Sequence, residues 1–273
     1  MLRPQTLCDS RAMDYYLDVD SSAVTELKRS LYELSDKLGI DIILQKAESQ
    51  RSDKGLVVFD MDSTLIEQEV IDVIASYAGL EEQVSKITAA AMNGEIDFNE
   101  SLIQRAALLK GISSGVFDEL KSRLTFTPGA RELTRVLKKK GAKLAVLSGG
   151  FVPLANWVKE QLGLDYAYAN VLEVSEDGSE LNGNVSGRIV NSSVKAALLQ
   201  EIAEKEQIEL DRVVAIGDGS NDLEMMQVAG FGIAFNAKPV VQQRAPSRLN
   251  TRSLQDVLYV FGYTREEQEA LLL

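Results

Sequence analysis

The stretch LVVFDMDSTL, residues 56–65, joins an apolar run directly to a pair of carboxylates. Residues 56–59 are all apolar, a pattern that predicts a short strand buried on both faces of a sheet. Asp60 and Asp62 follow, separated by one residue, and two hydroxyl side chains come next. Such a strand end is either a turn stabilised by local hydrogen bonds or a site for a metal and a phosphate. The rest of the chain must decide between these two interpretations.

Length, composition and charge predict a globular protein and argue against a nucleic-acid partner. The chain has 273 residues, 45% of them apolar, which is enough for a sizeable core in one large domain or two smaller ones. It shows neither a basic leader with an apolar signal segment nor a run of about 18 apolar residues, so we expect a soluble cytoplasmic protein without a membrane partner. The net charge of −12 opposes binding to nucleic acid.

The absence of histidine restricts the available chemistry. It excludes Ser-His-Asp triads, phosphohistidine intermediates and histidine metal ligands. The single cysteine, Cys8, cannot form an internal disulfide, and no arginine-bearing phosphate loop follows it, which argues against a thiol phosphatase. Acid–base chemistry must therefore fall to carboxylates, lysine or tyrosine.

The first 50 residues predict one βαβ unit. AMDYYLDVD, from residue 12, and IDIILQKAE, from residue 40, have strand patterns, and the segment 21–39 between them has helical apolar spacing with a serine cap. The polar segment 48–55 predicts a linker. Since one such unit leaves a sheet edge exposed, we expect it either to pair with a second chain or to dock on the rest of its own chain.

The remainder predicts an α/β fold with a Rossmann-like, mostly parallel sheet. Residues 67–125 carry only helical patterns, which indicates an inserted helical module. Strands and helices alternate from residue 127 onward, as in a parallel sheet covered on both faces. Turn signals between two extended pieces predict a hairpin over 174–190, and a short helix should close the chain after Ser253.

Three predicted strands end in polar clusters, DMDST, SGG and GDGSND, which should meet where the carboxyl ends of parallel strands form a crevice. Asp60, Asp62, Asp218 and Asp222 would lie close together there, and they could not all stay ionised without a cation. Mg²⁺ is the obvious candidate because it prefers hard oxygen ligands and often shares them with a phosphate.

Donors for that phosphate are also at hand. Ser148 and the amides of the glycines after it could cradle an anion, and Lys195, at the start of a predicted helix, could balance the phosphate charge. The convergence of three such clusters favours the site over the simple turn.

These motifs, in this order between residues 54 and 236, resemble those of the haloacid dehalogenase superfamily of phosphotransferases. The resemblance implies that Asp60 is the nucleophile and that Asp62 is the general acid and base. It implies Mg²⁺ ligation by Asp60, Asp218 and the Asp62 backbone carbonyl, with Asp222 behind them orienting waters or the lysine. The groups that would bind the phosphoryl oxygens are Ser148, Gly149, Lys195 and Asn221.

Two segments of the helical module, 69–75 and 92–105, are similar to cap signatures of phosphoserine phosphatases. The resemblance implies that Glu69 holds the substrate's amino group and Arg105 its carboxylate, a recognition that suits one anion and one bidentate cation. Met92 and Phe98 fall on apolar cap positions, where ordinary core packing is equally open. The implied activity is Mg²⁺-dependent hydrolysis of O-phospho-L-serine through an aspartyl phosphate, the last step of serine biosynthesis.

The resemblance divides the chain into an N-terminal, partly ACT-like region over 1–53, a catalytic core over 54–67 and 127–273, and a helical cap over 68–126. A homodimer through the N-terminal region is a further expectation. Two alternatives stay open. One is a related enzyme that acts on another small phosphomonoester or transfers the phosphoryl group to an alcohol such as homoserine. The other is a noncatalytic phosphate or amino-acid sensor.

Overall fold

The structure is a computed structural model that describes residues 4–47, 51–92 and 95–273. Residues 48–50, which begin the predicted linker, and the Met92 side chain lie outside this description. The strands are β1 Gln5–Cys8, β2 Ala12–Asp14, β3 Leu56–Phe59, β4 Lys143–Phe151, β5 Tyr166–Val174, β6 Leu181–Ser186, β7 Val213–Gly217, β8 Phe231–Phe235 and β9 Ser247–Leu249.

The helices alternate with these strands in the second half of the chain. They are α1 Val24–Leu38, α2 Val70–Ala78, α3 Glu81–Met92, α4 Phe98–Leu108, α5 Val116–Lys121, α6 Ala130–Lys139, α7 Val152–Leu162, α8 Ser192–Lys205, α9 Leu223–Val228, α10 Pro239–Arg244, α11 Val257–Val260 and α12 Arg265–Leu272. In the described ranges no helix has both the length and the apolar character that crossing a bilayer requires.

The main sheet has the strand order β6-β5-β4-β3-β7-β8-β9. Every neighbouring pair is parallel except β5 and β6, which form the predicted hairpin. The prediction of a mostly parallel sheet is confirmed. β3 lies between β4 and β7, so the chain leaves β3 in one direction and later returns to its other side. A ligand crevice is expected outside the carboxyl ends of strands at such a point.

The apolar run of β3 is explained by its burial on both faces. Val57 and Phe59 belong to one core cluster, and Leu56 and Val58 belong to the other. Helices α6 and α7 contribute to the first cluster and helices α8 and α9 to the second. The central strand is therefore rigidly held, and it fixes the residues that follow it.

The helical module predicted between the first two core strands is confirmed. Helices α2 to α5 lie between β3 and β4 in the chain, and the segments that enter and leave the module pair with each other. Ile66 and Phe126 form an antiparallel bridge, Glu67 N–H donates to Thr125 O over 3.0 Å, and Thr127 N–H donates to Leu65 O over 3.0 Å. Two paired backbone segments thus connect the module to the sheet at one narrow point.

The predicted N-terminal βαβ unit is wrong in its strands. Helix α1 is present, but the first strand is only Ala12–Asp14 and pairs with β1 in an antiparallel hairpin. Residues 40–47 contain no strand. Gln45 Nε2 donates to Val260 O over 2.7 Å, and Ile43 packs against the first core cluster. The alternating pattern of this segment thus reflects side chains docking on the core rather than a backbone ladder.

The N-terminal region docks on its own chain through ion pairs. Arg11 pairs with Asp256 at 2.6 Å, and Asp53 pairs with Arg212 at 2.8 Å. Asp36 of α1 pairs at 2.6 Å with Arg248 of β9. Of the two expectations for this region, docking on the same chain is the one that the contacts confirm.

Candidate active site

Asp60 lies at the end of the central strand and is held by three contacts. Its backbone N–H donates to Ile216 O of β7 over 2.9 Å, which keeps the residue in the sheet. Its side-chain Oδ1 accepts from Met61 N–H at 2.7 Å and faces the Lys195 ammonium at 2.8 Å. The residue is 6% exposed, so its carboxylate has little freedom and little water.

The polar residues after Asp60 form one wide turn over Met61–Leu65. Ser63 adopts a left-handed backbone conformation with φ of 53°, and its Oγ donates to Glu69 Oε1 over 2.7 Å. Thr64 Oγ1 donates to Asp218 Oδ1 over 3.0 Å. These hydroxyls had no assigned role in the sequence, and the structure shows that they orient two carboxylates.

Lys195 lies between two carboxylates in the interior. Its side chain is fully buried on α8, with Nζ 2.8 Å from Asp60 Oδ1 and 2.6 Å from Asp222 Oδ1. Burial alone lowers the pKa of a lysine, but the charges and hydrogen bonds of Asp222 and Asp60 outweigh it, so the pKa of Lys195 is raised. The ammonium therefore remains charged at neutral pH.

The glycines of GDGSND are required by close packing. A Cβ on Gly217 would lie 2.4 Å from Asp222 Oδ2, and a Cβ on Gly219 would lie 2.1 Å from Asn221 Oδ1. Gly219 N–H also donates to Asp222 Oδ2 over 3.0 Å. Both oxygens of Asp222 thus have partners, one in this loop and one on Lys195.

A cluster of carboxylates that could bind a metal lies beside this lysine. Asp60, Asp218 and Asp222 each offer an oxygen, and these oxygens lie within 4.8 Å of one another. Burial and the charge of Asp60 raise the pKa of Asp218 to about 7. A hard cation fits this donor set because it would relieve the repulsion between the carboxylates. Since Asp222 is already bound on both oxygens, Asp60 and Asp218 are the better direct ligands.

Asp218 should make the stability of the metal-free protein depend on pH. The pKa of Asp218 rises from 3.8 in the unfolded chain to about 7 in the folded one. Between about pH 4 and pH 7 the folded state therefore binds more protons than the unfolded state, and the free energy of unfolding falls as pH rises. We expect Asp218→Asn to become increasingly more stable than the wild type in EDTA between pH 5 and pH 8, on the order of one to several kcal/mol in total. Urea unfolding of both proteins at each pH measures their free energies of unfolding.

Adding Mg²⁺ at pH 8 provides the control for this prediction. The ion should raise the urea midpoint of the wild type more than that of Asp218→Asn, because binding to the folded state stabilises it by mass action. A stability difference that does not change with pH, or an equal effect of Mg²⁺ on both proteins, would contradict the assignment.

Asp62 has the environment of a protonated acid. Its Oδ2 accepts from Val70 N–H over 3.2 Å, while its Oδ1 is buried and has no hydrogen-bond partner among the described residues. Burial, followed by the charges of Glu69 and Asp60, raises the pKa of Asp62 well above the usual carboxyl range. Its unused oxygen is therefore available to exchange a proton with a bound molecule.

The SGG segment lines the same crevice. Ser148 is fully buried, and its Oγ accepts from Gly150 N–H over 2.8 Å, which leaves the hydroxyl proton free for another acceptor. A Cβ on Gly149 would lie 3.0 Å from Phe98 Cζ and 3.9 Å from Asn221 Nδ2. The Phe98 ring of the helical module therefore covers the point where SGG and GDGSND meet.

Glu69 and Arg105 bring opposite charges from the helical module to this crevice. Glu69 precedes α2 and is held by Ser63, next to Asp62. Arg105 of α4 donates from Nε to Ser101 O over 3.2 Å, and in the described ranges its guanidinium has no ion-pair partner. Burial lowers the pKa of Arg105, and the nearby charges of Asp72, Glu69 and Asp62 oppose this. The cation thus lies within electrostatic range of Asp72, Glu69 and Asp62, and no described residue forms an ion pair with it.

The structure therefore brings all of the predicted site residues to one crevice. Two of these residues, Glu69 and Arg105, come from the helical module. The others come from the sheet side of the crevice, and they are Asp60, Asp62, Ser148, Gly149, Lys195, Asp218, Asn221 and Asp222. The site thus combines clustered carboxylates with a buried lysine at one edge of the sheet, and the helical module faces them with an acidic and a basic side chain.

Comparison with known proteins identifies the family. A family model of haloacid dehalogenase-like hydrolases matches residues 55–230, and the chain belongs to this family. It is 48% identical to the phosphoserine phosphatase of Saccharomyces cerevisiae, over 94% of this chain and 84% of that protein. It is 54% identical to the probable phosphoserine phosphatase of Schizosaccharomyces pombe, over 80% of this chain and 74% of that protein.

A solved structure supports the same relationship. The chain resembles the protein in a structure of a phosphoserine phosphatase as a phospho-aspartyl intermediate analogue. The TM-score is 0.70 and the identity 44%, over 76% of this chain and 98% of that one. The predicted superfamily is thus confirmed by sequence and by fold.

Proposed function

We propose that this chain hydrolyses O-phospho-L-serine to serine and phosphate. The observation that carries the proposal is the pair Glu69 and Arg105 near Asp62, an acidic group and a cation that forms no ion pair with any described residue. Together they complement an ammonium and a carboxylate on one small molecule, and a guanidinium binds a carboxylate in two parallel hydrogen bonds. The phosphoserine phosphatases that this chain resembles support the choice of substrate.

Asp60 is the proposed nucleophile. Lys195 and Met61 N–H both bind its Oδ1, which leaves Oδ2 to attack the phosphorus. A bond forms between Oδ2 and phosphorus while the bond from phosphorus to the serine oxygen breaks, and the product is an aspartyl phosphate. Splitting the slow hydrolysis into two displacements lowers the barrier of each step.

Asp62 is the proposed acid and base. Its raised pKa favours the protonated carboxyl, which can give a proton to the departing serine oxygen. In the second step the resulting carboxylate takes a proton from water as the water oxygen bonds to phosphorus. Asp60 is released, phosphate leaves and Asp62 is protonated again.

The remaining site residues are proposed to stabilise charge. The Ser148 hydroxyl, the Gly149 amide, the Lys195 ammonium and the Asn221 amide would donate to the phosphoryl oxygens. Mg²⁺ is the proposed metal, held by the Asp60 and Asp218 carboxylates and the Asp62 backbone carbonyl, with Asp222 holding Lys195 behind them. When bound, it supplies positive charge to the phosphoryl group and to the clustered carboxylates.

The helical module is proposed to be a cap that closes over the substrate. Residues 68–126 would form this cap and residues 54–67 and 127–273 the core, because the paired segments at Ile66 and Phe126 supply a narrow connection. Closure would exclude water that competes for the phosphoryl group. The partly ACT-like character of 1–53 and the cytoplasmic location stay predictions.

The homodimer also stays a prediction, and the surface of the N-terminal region supports it. Several large apolar side chains are exposed there within one short part of the chain, namely Met13, Tyr15, Leu17, Leu34, Leu38 and Ile40. Exposed apolar groups of this kind often mark an interaction surface.

Phosphate release from O-phospho-L-serine tests the proposed function. We expect turnover in Mg²⁺ and its loss in EDTA, with slower release from the D enantiomer and from other phosphomonoesters. Release that depends on added homoserine, with phosphohomoserine as product, would indicate the phosphotransferase instead. Binding of phosphoserine in Mg²⁺ without any phosphate release would indicate the noncatalytic sensor.

A further inference from the structure

Strand β4 contains a bulge at the phosphate-binding loop. Its pairing with β5 runs through Leu147 opposite Tyr168 and resumes at Phe151 opposite Asn170. An advance of four residues along β4 therefore matches an advance of two residues along β5, and residues 148–150 leave the ladder. Such a bulge redirects the backbone, here towards the crevice, and its peptide groups need other partners.

The Asn170 side chain supplies a partner for one of those peptide groups and also contacts a second segment. It is 1% exposed, its Nδ2 donates to Gly149 O over 2.8 Å, and its Oδ1 accepts from Val190 N–H over 2.8 Å. These two partners fix the orientation of the Asn170 amide, because the Gly149 carbonyl can only accept and the Val190 N–H can only donate. Asparagine is disfavoured in strands, so its burial at this position calls for a specific reason.

We infer that Asn170 is a positioning residue that holds the peptide between Gly149 and Gly150 in the orientation that the phosphate site requires. This peptide is fixed at both ends, since its carbonyl accepts from Asn170 and its N–H donates to Ser148 Oγ. The Gly149 carbonyl is thereby engaged by Asn170, and the Ser148 hydroxyl proton is left for the phosphate. The inference rests on the proposed phosphoryl chemistry.

Without Asn170, the peptide would be free to rotate. Two successive glycines lack the side chains that limit backbone rotation, so a flipped peptide is accessible to them. A flip would place the Gly149 carbonyl oxygen towards the phosphoryl oxygens, where like partial charges repel. It would also remove the donor that Ser148 Oγ accepts from.

The same amide reaches the helix that carries the lysine. Val190 immediately precedes Asn191, which is the N-cap of α8 and accepts from Val194 N–H over 3.1 Å. Asn170 therefore fixes the start of α8 and the bulge of β4 together. Both elements contribute proposed phosphate ligands, Lys195 from the first and Ser148 and Gly149 from the second.

Asn170→Asp tests the two hydrogen bonds of the Asn170 amide separately. The new carboxyl can still accept from Val190 N–H, but when ionised it repels the Gly149 carbonyl. At pH 8 we expect kcat/KM for phosphoserine to fall by about 10- to 100-fold and the Kd for inorganic phosphate in Mg²⁺, measured by calorimetry, to rise by a similar factor. At lower pH the protonated carboxyl can donate to Gly149 O, so the ratio of variant to wild-type kcat/KM should rise.

Two further variants complete the test. Asn184→Asp makes the same chemical change on the exposed part of β6 and should leave both quantities unchanged. Asn170→Ala removes the hydrogen-bonding groups of the side chain without adding charge, and it should weaken phosphate binding without the pH-dependent recovery. The inference is overturned if either folded Asn170 variant binds phosphate like the wild type, or if the Asn170→Asp loss does not change with pH. A wild type that binds phosphate but releases none from phosphoserine refutes the proposed function instead.

Discussion

Replacing Asp60 by asparagine is expected to reduce phosphate release by at least about 10⁴-fold, the scale seen when a covalent nucleophile is removed. An amide cannot form the bond to phosphorus. The fold should survive, because the Asn oxygen can still accept from Met61 N–H and Lys195 keeps its contact with Asp222. Steady-state phosphate release and urea unfolding of the same preparation provide the two measurements.

Asp118→Asn is a matched control for this prediction. Asp118 lies on α5, is exposed, and pairs with Lys121 at 2.6 Å, away from the crevice. The same loss of one negative charge there should leave the activity unchanged. Appreciable turnover by a folded Asp60→Asn preparation would show that another group attacks the phosphorus.

Replacing Arg105 by alanine is expected to change the substrate preference rather than the phosphoryl chemistry. Since its guanidinium has no ion-pair partner in the described part of the chain, the substrate carboxylate should be its main partner. We expect kcat/KM for phosphoserine to fall by about 10²- to 10³-fold, because the substrate carboxylate would be left unpaired in the closed site. Activity on O-phosphoethanolamine, which lacks that carboxylate, should change by less than about threefold.

Arg123→Ala removes a cation from the same helical module without touching the crevice. Arg123 is exposed and lies over the Tyr77 ring, 5.5 Å from its centroid. Its loss should affect neither substrate. If Arg105→Ala lowers activity on both substrates equally, Arg105 does not bind the carboxylate and the case for serine as leaving group fails.

The parts of the fold that depend on simple periodicity could be predicted from the sequence. The apolar run of β3 indicated a strand buried on both faces, and Val58 and Phe59 do face opposite core clusters. The strand-end clusters could be placed at one crevice because parallel strands bring their carboxyl ends together. The helical module could be recognised because its segments share one period and lack strand patterns.

The N-terminal region shows where periodicity is insufficient. Alternating apolar residues indicate a strand only when a neighbouring backbone completes the ladder, and residues 40–47 dock through side chains instead. The partner of Gln45 is Val260, more than 200 residues further along the chain. Local sequence carries no information about such a contact.

The supporting residues of the site were also beyond prediction. Thr64 and Ser63 orient Asp218 and Glu69 through side-chain hydrogen bonds that depend on the turn geometry. Asn170 became significant only when the register of β4 and β5 showed a bulge. An asparagine within an otherwise apolar strand pattern was the one signal in the sequence, and it does not by itself identify a partner.

Trapping the phosphoenzyme shows directly whether Asp60 is the nucleophile. The Mg²⁺-loaded protein should be mixed with excess O-phospho-L-serine, quenched in acid during turnover and analysed by peptide mass spectrometry. We expect one phosphoryl group on Asp60 of the wild type and none on residue 60 of Asp60→Asn. Phosphate release from phosphoserine with no phosphoryl group on Asp60, or with the group on a different residue, would contradict it.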